Sequence, residues 1–325
     1  MALTGLENDD LQLIILGGKG GVGKTSCAIA TALALSKKFK TLLISTDPAH
    51  SLSDGLGQKI GFSLVEVEGA NNLSAIEVIA EEALSLFIKS NLQELKMLLE
   101  TSTSLDDDDI EDLLSLTIPG IDEVMSFKTI IDLIELGEYE KYVVDTAPTG
   151  HALRLISSPK MMDEWIKVAA RMRWKYRYMI TSFSGTYKHD DVDRLLLNLK
   201  RTVKRIENIL RDHIKCEFVP VCIPEAMAIS ETESLLSSLN KSGVFSRQII
   251  VNNVMESEDC AFCKAKKAGQ APHLKYISEK FSDLNMTSVP LFSHEIKGLE
   301  TLELLRKSLF DYQEVPALNQ TLINK

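Results

Sequence analysis

The residue pattern with the most specific chemistry lies near the start of the chain, where Gly18-Lys19-Gly20-Gly21-Val22-Gly23-Lys24-Thr25 fits the phosphate-loop motif G-x-x-x-x-G-K-[ST]. Phosphate oxygens are held in such a loop by backbone N–H groups that curl around them, which needs glycine where φ is positive or the ligand comes close. A helix N-terminus after the loop, entered here through Ser26, adds partial positive charge at the same place. In this arrangement Lys24 reaches the β- and γ-phosphates of a nucleotide, and the Thr25 hydroxyl holds Mg²⁺. The flanking sequence supplies the context that the motif needs. Apolar Leu13 to Leu16 predict a short buried strand before the loop, and the alanine-rich stretch Cys27 to Ser36 predicts a helix after it.

Two more apolar runs end in carboxylates. Thr41 to Ser45 predicts a buried strand followed by Thr46-Asp47-Pro48-Ala49-His50-Ser51-Leu52-Ser53-Asp54. Asp47, at the strand end, suits a Mg²⁺-bound water, and Asp54, in a Ser/Gly-rich loop, suits orientation of an attacking water. Both aspartates equally suit capping of turns or of the next helix, and spacing does not choose between these roles. Val143-Val144-Asp145 predicts a third strand, with a Pro/Gly loop from Ala147 to His151 after it. Asp145 is a natural partner for the water shell of Mg²⁺, and its loop suits a sensor of the γ-phosphate.

Together, GGKGGVGKTS, STDPAHSLSD and VDTAPTGHALRL resemble the ATPase family of arsenical pumps and tail-anchored-protein targeting. The chain is most similar to the eukaryotic cytosolic branch, which delivers tail-anchored membrane proteins to the endoplasmic reticulum. IPGIDEVMSF from Ile118, ETESLL from Glu231, IIVNN from Ile249, CAFC from Cys260 and PLFSHEIKGLETL from Pro290 extend the match. It covers nearly all of Leu11 to Lys307 and lapses at the termini and around Trp165 to His189. The resemblance implies a homodimer that hydrolyses ATP. Lys19, the added lysine of the deviant loop GKGGxGK[ST], would then cross to the partner's nucleotide as an arginine finger does. It also implies Lys24 and Thr25 on phosphate and Mg²⁺, Asp54 activating water, and nucleotide contacts from Glu225 and Asn252. The segment from Pro290, with Leu291 and Glu295, would line the adenine. Adenine is favoured separately, because Asn240-Lys241-Ser242-Gly243 lacks the aspartate of the guanine-reading N-K-x-D motif.

Cys260-Ala261-Phe262-Cys263 has metal-ligand spacing but supplies only two thiolates, whereas structural zinc takes four ligands. A twofold dimer would bring two copies to one axis and complete a Cys₄ site for Zn²⁺, which is how the family uses its C-x-x-C. A redox pair or two incidental cysteines also fit. His273 is read as non-ligating, and Cys27, Cys216 and Cys222 as core packing.

Positioning these residues calls for a doubly wound, mostly parallel α/β sheet with the phosphate loop at strand C-terminal ends. The expected ATPase core comprises residues 1–80, 137–160 and 211–325, with 311–325 a flexible tail. Residues 81–136 and 161–210 are expected to form an inserted helical subdomain. Leu84, Ile88, Leu92, Leu95 and Leu99 recur at helical spacing, as do Val192, Leu195, Leu199, Val203 and Ile206. The family places a groove for the client's apolar helix here, across the dimer, implying Leu84, Ile88, Leu95, Leu99, Met125, Leu195 and Leu199 as its lining. Such stripes equally fit an ordinary core. Arg171 to Met179 interleaves basic and aromatic residues and reads as a lid toward lipid headgroups or client flanks, or as a solvated helix face.

Bulk properties narrow the classes. A net charge of −10 over 325 residues argues against a binder of nucleic acid by phosphate neutralisation. No apolar run is long enough to span a bilayer, and acidic MALTGLENDD does not read as a secretory signal. Five cysteines beside a nucleotide site suit the reducing cytosol. The family adds peripheral residence at the endoplasmic reticulum, a membrane receptor and a client-loading factor. The alternatives are an arsenite or anion-transport motor, a positioning ATPase of the deviant-loop class and a non-enzymatic holdase. The first would normally be a tandem duplication with clustered cysteines, and the second needs a basic surface or an amphipathic tail.

Overall fold

The computed structural model describes residues 3–47, 51–102, 121–147, 159–171, 173–174, 178, 182 and 190–311. Its sheet contains β1 (Leu13–Gly17), β2 (Thr41–Ser45), β3 (Val65–Glu66), β4 (Leu73–Glu77), β5 (Lys141–Asp145), β6 (Cys216–Cys222), β7 (Gln248–Val254) and β8 (Asn285–Pro290). Their spatial order is β3-β4-β2-β5-β1-β6-β7-β8, and all pairings are parallel except that of β3 with β4. Parallel strands are covered on both faces and therefore read as unbroken apolar runs. Every residue of β1, β2, β5 and β6 is buried.

Successive side chains point to opposite faces. Ile14, Leu16, Leu43 and Val143 enter one apolar cluster with α1 (Lys24–Leu35) and α10 (Leu299–Phe310). Helix α1 is alanine-rich and buried nearly all round, as a helix clamped between a sheet and a second helix must be. Leu13, Ile15, Ile44, Tyr142 and Val144 enter the opposite cluster. That face is covered by α3 (Ala80–Ser90), α5 (Ile121–Leu136), α6 (159–171) and α7 (Asp191–Arg211), with α4 (Leu92–Ser102) packed on α7. α2 (Ser51–Leu56), α8 (Ala226–Ser242) and α9 (Ala261–Lys280) complete the helices used below.

This packing takes up the leucine stripes. Leu84, Leu95, Met125, Leu195 and Leu199 are all buried in the same cluster as Leu13, Ile15 and Ile44. Ile88 is half-buried against that cluster, and Leu99 is half-buried on α4. The apolar faces of both inserted segments are thus turned to the sheet, where burying them gains most.

The basic, aromatic stretch divides between core and surface. Arg173 is 1% exposed and pairs with Asp190 and Asp193 at the start of α7, so it faces inward. Asp190 caps α7 as well, accepting the Asp193 N–H at 3.1 Å. Trp174 and Tyr178 stay outside, 64% and 68% exposed, with ring centroids 6.1 Å apart. The readings for Met172, Lys175 to Arg177, Met179 and the tail after Asp311 lie outside the described residues.

Because Leu199 sits in the shared cluster, Leu199→Ala should lower the unfolding free energy by about 2–5 kcal/mol. A fall in the urea midpoint at unchanged slope is the expected result, and an unchanged midpoint would return Leu199 to a surface role.

Candidate active site

The phosphate loop is shaped by what lies beside it. Gly18 has φ of +157°, and a Cβ there would collide with the Val221 carbonyl of β6. Gly23 has φ of +90° as the N-cap of α1, and a Cβ there would strike the Asn252 amide. Asn252 reaches the loop from β7, its Nδ2 donating to the Val22 carbonyl at 2.9 Å. The Lys24 Nζ donates to the Lys19 carbonyl at 3.2 Å, so without a ligand the amine folds onto its own loop. Burial lowers the Lys24 pKa, opposed by Asp145, Asp47 and Glu231.

Sheet register brings the switch residues together. Asp145 stands opposite Leu16 on one side and Ser45 on the other. The Thr46 N–H donates to the Asp145 carbonyl at 3.0 Å, and the Asp47 N–H to the Ser45 hydroxyl at 3.1 Å. On the β1 side, Thr146 Oγ1 donates to the Leu16 carbonyl at 2.8 Å. The Thr25 hydroxyl donates to Asp145 Oδ2 at 2.7 Å, and Ser51 Oγ lies 3.4 Å from Thr25 Oγ1. Burial pushes the Asp145 carboxyl up to about 7, against the Thr25 hydrogen bond and the Lys24 charge. Its Oδ1 is buried with no hydrogen-bond partner among the described residues.

An orphaned carboxylate oxygen beside two hydroxyls is a hard-oxygen donor set that fits Mg²⁺ or its bound water. Thr25 and Asp145 are in contact, and Asp47, just beyond β2, is near enough to act on the charges of Lys24 and Asp145. Asp54 differs: it belongs to the short helix α2 rather than a loop, and its side chain is exposed. That helix is fixed through Asp54's neighbours. Glu77, buried at the end of β4, accepts from the Ser53 N–H and hydroxyl at 3.3 Å each, and the Gly55 carbonyl accepts the Gly298 N–H at 2.8 Å. Glu77 was not picked out from the sequence; an ionisable residue inside the apolar run LSAIEVIA was the available signal.

The remaining predicted residues are dispersed. Lys19 faces Glu231 of α8 within its own chain, at 3.9 Å. Glu225 is the exposed N-cap of α8 and makes no side-chain cap bond. Pro290 ends the edge strand β8, the Leu291 N–H donates to the Val254 carbonyl at 2.8 Å, and Glu295 is exposed in the loop before α10. Pro48 to His50 and Pro148 to Ser158 lie outside the described residues.

Cys260 and Cys263 lie at the start of α9 with sulfurs 2.7 Å apart. The Cys263 N–H donates to the Cys260 sulfur at 3.2 Å, and this bond and the contact with the Cys263 sulfur hold the Cys260 thiol below its ordinary range. No group of three or more His, Cys, Asp or Glu among the described residues is arranged to hold a metal ion. Cys27, Cys216 and Cys222 are buried, as expected of core cysteines, and burial pushes the Cys27 thiol up to about 12.

The family model of the anion-transporting ATPases matches residues 11–311. The ATPase ASNA1 homolog 1 of Paramecium tetraurelia is 33% identical over 327 residues, 96% of each chain. The ATPase ASNA1 homolog of Dictyostelium discoideum is 34% identical over 94% of this chain and 91% of its own. The ATPase GET3 of Malassezia globosa is 32% identical over 96% of this chain and 94% of its own. The family match and these relatives make ATP hydrolysis the activity of this chain.

Asp145 gives this site a pH signature. Its folded pKa of about 7 exceeds the ordinary 3.8, so the ligand-free fold loses stability as pH rises from about 4 through 7. A bound cation favours the carboxylate, so Mg²⁺-nucleotide binding near pH 6 should release about one proton. Calorimetry in buffers of different ionisation enthalpy reads this directly. Asp145→Asn should abolish the release, and equal release from both proteins would exclude Asp145 as its source.

Proposed function

The chain belongs to the anion-transporting ATPase family, and from that premise we propose that it is a homodimeric ATPase that carries tail-anchored membrane proteins to the endoplasmic reticulum. The observation behind this reading is that one sheet serves two surfaces. Its strand ends hold the phosphate loop, and its far face carries helices with exposed apolar side chains. Leu86 of α3, Met97 of α4, Met161 and Val168 of α6 and Leu197 of α7 are all more than a third exposed. Soluble proteins seldom gather so many large apolar groups on one helical layer without a partner to cover them. On this reading these outward residues line the groove for a client's transmembrane helix. The buried stripe of Leu84, Leu95, Met125, Leu195 and Leu199 forms its floor, with Ile88 and Leu99 at its sides. Methionines suit such a surface because they repack around many apolar shapes.

ATP binding draws two chains together, and Lys19 exchanges Glu231 for the partner's nucleotide. Charge brought across the interface places turnover under the control of dimer closure. Glu225 and Asn252, with the segment of Pro290, Leu291 and Glu295, surround the base and sugar. Thr25 would hold Mg²⁺ with Asp47 and Asp145 on its waters, and the ion would neutralise charge on the transferring phosphoryl group. Asp54 orients the attacking water from α2. Hydrolysis removes the γ-phosphate, the strand-end loops after Asp47 and Asp145 relax, and the client is released at the membrane. Cys260 and Cys263 of each chain would together supply four thiolates to a structural Zn²⁺ shared by the dimer. The protein works in the cytosol and at the surface of the endoplasmic reticulum, with a membrane receptor and a client-loading factor as partners. Among the described residues no helix is long and apolar enough to cross a membrane.

Asp54→Asn should lower kcat by about a hundredfold while nucleotide affinity stays within about threefold, because the lost carboxylate acts on water rather than on binding. Unchanged turnover would make the protein a holdase.

Client binding is tested by co-expressing the tagged protein with a tail-anchored protein, and separately with the same client lacking its C-terminal apolar helix. Only the intact client should be recovered, and serine at Leu86, Met97, Met161 and Leu197 together should reduce its recovery about tenfold or more, as expected for several lost apolar contacts. Equal recovery of both clients, or of neither, would leave the ATPase without this cargo.

A further inference from the structure

The strand that carries Asn252 is irregular where it meets the nucleotide site. β7 keeps step with β8 from Gln248 to Val251, and its register shifts before Val254. Within the shift Asn253 takes φ of +58°, left-handed backbone that asparagine tolerates better than most residues. One side chain holds both flanks of this distortion. Gln270 of α9, 7% exposed, donates from Nε2 to the Asn253 carbonyl at 2.9 Å and accepts the Met255 N–H on Oε1 at 2.8 Å. The two partners fix which end of the amide is oxygen, since one offers a hydrogen and the other a lone pair. Next along the strand, Asn252 donates to the Val22 carbonyl at 2.9 Å and fills the space that a Cβ on Gly23 would need.

We propose that Gln270 is a positioning residue for the ATPase. By clamping β7 in its distorted course it aims Asn252 at the phosphate loop, and so sets the pose of Val22 and of the Gly23 N-cap. Buried groups tied at both ends have little freedom to drift, whereas an unclamped left-handed asparagine would relax toward regular strand. Gln270 lies ten residues beyond Cys260 on the same helix, so whatever moves α9 also moves the loop. The inference rests on the phosphate loop and is independent of cargo.

Three variants of the full chain test it through steady-state ATP turnover. Gln270→Met keeps the bulk and removes both hydrogen bonds. It should raise KM for ATP about tenfold with kcat within about twofold, the pattern of lost uniform binding by a misplaced loop. Gln270→Glu can accept the Met255 N–H, but as a carboxylate it cannot donate to the Asn253 carbonyl. Its KM, taken relative to wild type at each pH, should be raised at about pH 8 and return toward wild type at about pH 6, where a buried carboxyl regains its proton. Combining Gln270→Met with Asn252→Ala should raise KM no further than Asn252→Ala alone, because both act through one contact. Should Gln270→Met fail to give a folded circular dichroism spectrum, the same cycle is run with Gln270→Glu at about pH 8. A wild-type KM, a pH-independent KM ratio for Gln270→Glu, or additive effects with Asn252→Ala would each overturn the proposal.

Discussion

A carboxylate at the end of a buried parallel strand has few ways to keep its charge. Asp145 sits between β1 and β2, with apolar layers on both faces of the sheet and its side chain fully buried. The Thr25 hydroxyl and the Lys24 charge oppose the desolvation without cancelling it, and one carboxylate oxygen is left without a partner. A group in that position is poorly satisfied alone and well satisfied beside a hydrated cation, which is the asymmetry that a nucleotide switch requires. The strand order follows from the same constraint. Only with β5 between β1 and β2 can the phosphate loop, the Asp47 segment and Asp145 converge from distant parts of the chain.

Around this centre the remaining catalytic elements are held by backbone ties rather than by contacts of their own reactive groups. Ser53 is bound to Glu77 and Gly55 to Gly298, so the residues on either side of Asp54 are fixed while its carboxylate stays free to face a ligand. The Gly298 tie joins α2 to the loop after Pro290, which places the predicted water-orienting and adenine-lining segments on one linked frame. Holding a functional side chain through its neighbours preserves its mobility and still sets its direction.

The parts of the fold that were legible in the sequence are those whose cause is local. The runs at Leu13, Thr41 and Val143 are unbroken because parallel strands are buried on both sides, and the glycine spacing of the loop follows from its φ angles and close approaches. What escaped depends on partners far along the chain. The α2 helix was read as a loop because its anchor, Glu77, comes more than twenty residues later. Helical period identified the stripe through Leu195 and Leu199 but could not say what it packs against, and the answer is the sheet itself. Arg173 looked like part of an exposed basic run because Asp190 and Asp193 come after a stretch with no periodic signal. Gln270 gave no sign at all. It lies in the polar helical run KAKKAGQAPHLK, where one buried amide looks like its solvated neighbours.

The shared cluster beneath the sheet carries a mechanical consequence. Along a strand the side-chain direction alternates, so Asp145 in the nucleotide site is followed backwards by Val144 in the helical layer's cluster. The same holds one strand over, where Ile44 enters that cluster and Ser45 stands opposite Asp145. Val144 and Ile44 touch the same packed body as Leu84, Leu195 and Leu199. Close-packed interiors shift between discrete arrangements rather than flexing smoothly. A displacement of either strand end large enough to change the coordination of a cation must therefore repack the base of the helical layer. The nucleotide site and the apolar surface are coupled through two consecutive residues of a strand, with no hinge between them. A helical layer that packs directly on the sheet is a shorter route from the phosphate loop to the exposed apolar side chains than a separate subdomain on a linker would be.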